Sequence, residues 1–342
     1  MRLLVIGGTV FLGRHIVSLA MAAGHQVTTF NRGTHELAEQ AGVEKLRGNR
    51  EGDLSALSGR TFDAVIDTCG YNPDIVRHSS NFLSHAVGTY VFISTISVYG
   101  DFSQIGISEE HPTARTQPGE EGNYGSLKAD CERVIAEVAP ENSLIVRPGL
   151  IVGPYDPTDR FTYWPARFAR GGQLIVPARL DRLVQFIDVR DLATWVIGIA
   201  ERQERGIYNA TGPDGRVSLG DFFEACDETV GSGRNCQLVK ADDAVLEIAG
   251  VAPWTGLPLW LPATMTRFAG MMRIDRRKAV SAGLACRPMR DTIADTLEWD
   301  QARDPSIARL AGLSEEVERA LLREPKLNPA PGKGPLPGAG LR

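Results

Sequence analysis

The stretch Val5-Ile6-Gly7-Gly8-Thr9-Val10-Phe11-Leu12-Gly13 decides how the rest of the chain is read. It begins inside the apolar run Leu3-Leu4-Val5-Ile6, which reads as a strand. It leads into Arg14 to Ala23, where Ile16, Val17, Leu19 and Ala20 are available for burial on a helix. Glycine at such a turn lets the backbone pass close to a pyrophosphate, whose charge sits among the unpaired N–H groups at the helix N-terminus. Gly13 lets helix and strand pack closely. A strand-to-helix turn with no ligand is the plain alternative, and the strand and helix on either side favour a dinucleotide. The candidate contacts in the turn are Gly7, Gly8, Thr9, Phe11, Leu12 and Gly13.

Working outward, further strands are expected at Gln26 to Phe30, Ala64 to Asp67, Tyr90 to Ser94 and Ser143 to Val146, with helices between them. This alternation predicts an α/β fold, a doubly wound parallel sheet covered by helices on both faces. Buried parallel strands should be continuously apolar, as Leu3 to Ile6 and Tyr90 to Ile93 are. Past Pro148 the texture changes: Pro154, Pro157, Pro165 and Pro177 interrupt the chain, and Phe161, Tyr163, Trp164 and Phe168 cluster. Gln185-Phe186-Ile187-Asp188 looks like a return to the sheet, with Asp188 capping the next helix and Asp191 in its first turn. The expected organisation is a dinucleotide-binding domain of residues 1–150 and about 185–212, a smaller C-terminal substrate lobe of about 151–184 and 213–322, and a disordered Pro/Gly-rich tail over 326–342. Trp164, Trp254 and Trp260 can serve either the core of the small lobe or a pocket wall.

The end of the second expected strand reports on the dinucleotide. An acidic residue there pairs with the ribose 2′-hydroxyl of NAD and repels a 2′-phosphate. This chain has Asn31-Arg32 instead, which removes the carboxylate and supplies a fork suited to phosphate, so NADP(H) is favoured and NAD(H) stays open. Tyr124 and Lys128 lie four residues apart on an expected helix and so share a face. A phenol holds its proton at neutral pH, but an adjacent ammonium favours the phenolate and makes Tyr124 a usable acid/base. Lys128 can also hydrogen-bond the nicotinamide ribose. The strand before them ends Ser94-Thr95-Ile96-Ser97, where a hydroxyl can hold a substrate oxygen against Tyr124 or can merely cap a turn.

Composition narrows the classes. The 342 residues carry a net charge of −5, with 43% hydrophobic and 23% charged residues, as in an ordinary globular protein. With no basic stripe, nucleic-acid binding is disfavoured. Cys69, Cys131, Cys226, Cys236 and Cys286 are scattered, which argues against a disulfide framework or structural zinc and for reduced thiols. No apolar stretch is long enough to span a bilayer, and the expected location is cytoplasmic. His15, His25, His35, His78, His85 and His111 show no metal-ligand spacing, and no nucleophile elbow is present.

Taken together, the glycine turn, Ser94-Thr95-Ile96-Ser97-Val98-Tyr99-Gly100, Tyr124-x-x-x-Lys128 and Val146-Arg147-Pro148-Gly149 resemble the extended short-chain dehydrogenase/reductase superfamily, the NAD-dependent epimerase/dehydratase group. The resemblance runs from Met1 through Phe186-Ile187-Asp188-Val189-Arg190-Asp191 to about Gly212. It implies a Rossmann-like fold, Thr95 at the catalytic serine/threonine, Tyr124 at the acid/base and Lys128 as its partner. It further implies adenine contacts near Asn49 and Arg50, cofactor passage at Cys69 and Gly70, Pro148 and Gly149 beside the nicotinamide, and homodimerisation through helices of the large domain. Two departures stand out. Val10 occupies the usual middle-glycine position, as in an atypical branch that includes relatives of a chloroplast stem-loop RNA-binding family. Ile96-Ser97 replace the Asp-Glu of nucleotide-sugar 4,6-dehydratases, which removes the acid and base of that reaction. The expected function is an NAD(P)-dependent reductase or dehydrogenase acting on a small molecule. The alternatives are a sugar or nucleotide-sugar epimerase using the same groups, and a non-catalytic NADP-sensing or RNA-binding protein.

Overall fold

In a computed structural model, which describes residues 1–35, 41–117, 119–213 and 216–324, the first apolar run forms β1 (Arg2–Ile6). Leu3, Leu4 and Val5 are fully buried because β1 lies inside a seven-stranded sheet covered on both faces. The large sheet and its helices arise in chain order as α1 (Phe11–Ala22), β2 (Gln26–Asn31), β3 (Glu44–Arg47), β4 (Phe62–Asp67), α2 (Pro73–Leu83), β5 (Val87–Ile93), α3 (Tyr124–Val138) and β6 (Ser143–Pro148). The chain continues through β7 (Leu150–Val152), α4 (Tyr163–Arg170), β8 (Gln173–Pro177), β9 (Leu183–Val184), β10 (Phe186–Asp188) and α5 (Val189–Glu201) to β11 (Gly206–Ala210). The strand order is β11-β6-β5-β4-β1-β2-β3, and every pairing is parallel. Helices α1 and α5 pack on one face, and α2 and α3 on the other.

A second hydrophobic cluster gathers Phe161, Trp164, Phe168, Phe222, Phe223 and Trp260. Around it lie the pairs β7–β10 and β8–β13 (Gln237–Ala241), the latter strand following β12 (Val217–Ser218) and α6 (Leu219–Cys226). The indole nitrogens of Trp164 and Trp260 donate to the Pro258 carbonyl at 3.0 Å and to Asp243 at 2.8 Å. Two of the three tryptophans left open by the sequence are therefore core residues, and Trp254 is the one on a pocket wall.

The elements differ from expectation at identifiable places. Helix α1 starts at Phe11, three residues before the expected Arg14, because Val10 is extended (φ −120°, ψ 149°) and acts as the N-cap. Strand β3 has the sequence Glu-Lys-Leu-Arg and escapes a hydrophobic-run reading, since it is an edge strand with only Leu46 partly buried. Residues Ala279 and Leu284 join the core of the large sheet, and the short helix Arg277–Ser281 packs on β11, so this segment leaves the expected small lobe. Asp188 does cap α5, accepting from the Arg190 N–H at 2.8 Å. The expected disordered tail, 326–342, lies outside the described residues.

Candidate active site

From β1 the sheet order runs to β4, β5 and β6 in one direction and to β2 and β3 in the other. Ligands of open α/β sheets sit at such a reversal, beyond the carboxyl ends of the strands. The glycine turn occupies this place. Gly7 and Gly8 have φ of 101° and 78°, the left-handed region open to glycine. A Cβ on Gly7 would stand 2.4 Å from Thr68 Oγ1, and one on Gly13 would stand 2.7 Å from the Gly8 nitrogen. Helix geometry leaves the N–H groups of Phe11, Leu12 and Gly13 without acceptors inside α1, and the Val10 side chain supplies no cap. Val10 is half exposed at the rim, so the residue replacing the middle glycine leaves the N-terminus of α1 open.

A cleft of about 830 Å³ runs from Arg32, Asn49 and Arg50 past this turn to Thr95, Tyr124 and Lys128. Length, a helix N-terminus midway and a buried lysine at the far end fit a nicotinamide dinucleotide. Thr9, Phe11, Leu12, Cys69, Pro148 and Gly149 also line it.

At the adenosine end, three side chains are committed to the protein. Asn31 donates to the Gly7 carbonyl at 3.4 Å and accepts from the Gly33 N–H at 2.8 Å, stitching two turns together. Asn49 accepts from the Glu51 N–H at 3.2 Å. Arg50 forks onto Asp67 at 2.9 and 2.7 Å and reaches Ser79 Oγ at 2.7 Å. Asp67 is fully buried and also accepts from Tyr90 and the Cys69 N–H. Burial raises its carboxyl pKa, but Arg50, with the Cys69 N–H and Lys128, more than offsets this and holds it below the ordinary range. The expected adenine contact Arg50 is thus held from beneath by a buried carboxylate. Arg32 stays exposed at the rim. Gly70, the other residue expected at the cofactor's passage, is buried, and a Cβ there would meet the Phe92 ring at 2.5 Å.

At the far end, Thr95 follows β5 and caps a short turn, accepting from the Ser97 N–H at 3.1 Å and donating to Ser97 Oγ at 3.2 Å. Tyr124 is the first residue of α3, behind the N-cap Asn123, whose side chain accepts from the Ser126 N–H at 3.1 Å. Burial pushes the Tyr124 phenol upward, while the Thr95 hydroxyl and the Arg160 charge act in the opposite direction. Lys128 follows one turn later, yet its ammonium donates to the Gly70 and Ile93 carbonyls at 2.8 and 2.6 Å and sits 4.2 Å from the Phe92 ring centre. Burial brings its pKa down to about 8 against the pull of Asp67. Lys128, expected as the partner of Tyr124, is held here by two backbone carbonyls, and the Arg160 charge opposes the upward push on the phenol.

Sequence reasoning missed the opposite wall, formed by Asp156, Thr158, Arg160, Gln185 and Trp254. A signal was available in Asp156-Pro157-Thr158-Asp159-Arg160, a charged run between prolines directly after a strand.

The architecture is a Rossmann-like α/β fold with its cleft at the switch point. The chain belongs to the NAD dependent epimerase/dehydratase family, whose profile matches residues 3–211. It is similar to the chloroplast stem-loop binding protein of 41 kDa b of Arabidopsis thaliana, 27% identical over 248 residues, and covers 66% of this chain and 62% of that protein's length. It is also similar to the dTDP-4-dehydrorhamnose reductase of Streptomyces griseus, 25% identical over 331 residues that make up 91% of this chain and 94% of that one. Among solved structures it shares the fold of the UDP-glucuronic acid 4-epimerase of Bacillus cereus in complex with NAD. That likeness has a TM-score of 0.62 at 15% identity and covers 88% of this chain and 99% of the other.

Proposed function

We propose that this chain is an NAD(P)-dependent oxidoreductase of the short-chain dehydrogenase/reductase type, acting on a carbonyl or hydroxyl carbon of a small molecule. The observation that carries this reading is the meeting of Thr95 and Tyr124 at the end of a cleft that begins at a glycine turn. A bound nicotinamide dinucleotide supplies or accepts the hydride. Tyr124 exchanges a proton with the substrate oxygen, and Thr95 holds that oxygen by its hydroxyl. The α3 N-terminus and Arg160 favour the phenolate. Lys128 has three N–H donors and uses two on carbonyls, leaving one for a ribose hydroxyl. It acts by orienting the ribose. NADP(H) is the preferred dinucleotide on this reading, because Asn31 brings no carboxylate and Arg32 is exposed at the rim. The five free thiols accord with a cytoplasmic setting.

A sugar epimerase is the second reading. The solved relative of that activity shares the fold, and the same Thr95–Tyr124 pair serves an oxidation followed by reduction on the other face. The net charge of −5 weighs against RNA as the ligand, despite the name of the chloroplast relative. The test is to denature the purified protein, identify any released dinucleotide and titrate the emptied protein with NADPH and NADH. Saturable binding of either supports the proposal; binding of neither, with specific RNA retention at physiological salt, overturns it.

A further inference from the structure

Strand β11 ends at Ala210, opposite Pro148 of β6, and Thr211 is the next residue. The backbone on both sides of it is tied down. The Ala210 carbonyl accepts from the Gly149 N–H at 3.0 Å, and the Gly212 carbonyl accepts from the Phe186 N–H at 2.7 Å. Thr211 is fully buried, yet it lines the cleft together with Pro148, Gly149 and Leu150. Among the described residues, its hydroxyl oxygen has no hydrogen-bond partner. A threonine hydroxyl offers one donor and two acceptor sites, and none of them is used within the chain.

The neighbouring glycine is matched to this hydroxyl. A Cβ on Gly149 would stand 2.4 Å from Thr211 Oγ1 and 2.9 Å from Thr211 Cβ, so any other residue at 149 would push the threonine aside. Gly149 does not take the left-handed region, and the close approach of Thr211 is what its missing side chain serves. Buried polar groups are almost always paired, because an unpaired one keeps its desolvation penalty, and a valine at 211 would fill the same space without it. Two other side chains on the cleft wall keep a buried atom unpartnered, Arg50 Nε and Asp156 Oδ2, but both are held by bonds from their remaining atoms. The Thr211 hydroxyl has no such bond, which points to a neutral partner brought by a ligand.

We propose that Thr211 binds the carboxamide of the nicotinamide ring through its hydroxyl, and so fixes which face of the ring is turned to the substrate. This rests on the oxidoreductase reading, which puts the reacting ring carbon against Thr95 and Tyr124. Thr95 follows β5, and β6 and β11 are the next two strands of the sheet. Two strand spacings are about 10 Å, a span that a substrate oxygen and the nicotinamide ring together fill. The carboxamide sits on the ring carbon beside the reacting one and carries both N–H donors and a carbonyl acceptor, as a lone hydroxyl requires. Turning the ring over about its bond to the ribose would carry the carboxamide away from Thr211.

The test compares the full-length wild type, Thr211→Val and Thr211→Ser by calorimetric titration. The probes are whichever of NADPH or NADH binds more tightly, and the matching ADP-ribose, with or without its 2′-phosphate, which lacks the nicotinamide. Thr211→Val is expected to weaken the dinucleotide about threefold to tenfold while leaving the ADP-ribose within about twofold of the wild type. Thr211→Ser, which keeps the hydroxyl, is expected to restore dinucleotide affinity to within about twofold. Because the hydroxyl bonds nothing inside the chain, Thr211→Val should leave the thermal midpoint of the unliganded protein unchanged or raise it. Dinucleotide affinity indifferent to Thr211→Val overturns the inference and leaves the oxidoreductase reading intact. An equal loss for dinucleotide and ADP-ribose also overturns it, since that marks a packing role. A wild type that takes up neither NADPH nor NADH sinks the oxidoreductase reading, and this inference with it.

Discussion

Lys128 donates from a buried ammonium to two backbone carbonyls, and this fixes where the loop after β4 lies against the end of β5. Its pKa is lowered from 10.5 in an open chain to about 8 in the fold. A depressed pKa means the unfolded chain keeps the proton longer. The contribution of this group to stability is therefore complete above 10.5 and lost as pH falls through about 8. The expected result is a denaturation midpoint that rises between pH 8 and 10 in the wild type relative to Lys128→Met, measured in parallel urea titrations. Parallel curves would contradict this placement of the charge. Arg32 supports a second residue-scale prediction. If the NADP(H) proposal holds, Arg32→Gln should weaken NADPH about tenfold and leave NADH within about twofold, because it would remove one charge-assisted phosphate contact. Fluorescence titration with the two dinucleotides checks it.

Among the elements, α1 and α3 carry most of the geometry. A Cβ at position 13 would meet backbone atoms of Gly8 at 2.7 and 2.8 Å, and backbone cannot swing aside as a side chain can. Gly13→Ala should cost about 1–3 kcal/mol and abolish dinucleotide binding, as thermal unfolding and titration would show. Helix α3 is tied to β6 by the buried Glu132–Arg147 pair at 2.6 Å, with Ser94 donating to the same carboxylate at 2.5 Å. Glu132→Ala leaves Arg147 buried without its counter-charge, and a loss of about 3–5 kcal/mol is expected in chemical denaturation. The positions of β1, β2, β4, β5 and β6 were legible in the sequence from their short β-branched and apolar runs, most plainly in β1 and β5, where buried parallel strands are continuously apolar. Strand β3 was not, since an exposed edge carries charge without penalty. Thr95, Tyr124 and Lys128 were legible as residues, but their partners were not. Spacing along a helix places two side chains on one face, and cannot say that one of them will turn into the sheet towards Gly70 and Ile93.

At the scale of the molecule, a Rossmann-like sheet and a second apolar cluster meet over one cleft, and each supplies a wall. The sheet side is readable from glycines and hydroxyls because dinucleotide chemistry demands them at fixed places. The opposite wall is set by a loop whose conformation depends on Arg14, His15, Trp299 and Arg303, all remote in sequence. The charged run from Asp156 to Arg160 marks the segment, and not the direction in which its side chains turn. The most direct test of the central claim is the oxidation of the preferred reduced dinucleotide across a panel of small carbonyl compounds, with the wild type and Tyr124→Phe compared on every compound turned over. Loss of about 10²–10⁴ in turnover with unchanged dinucleotide affinity is the predicted result. Equal rates for the two proteins would contradict it.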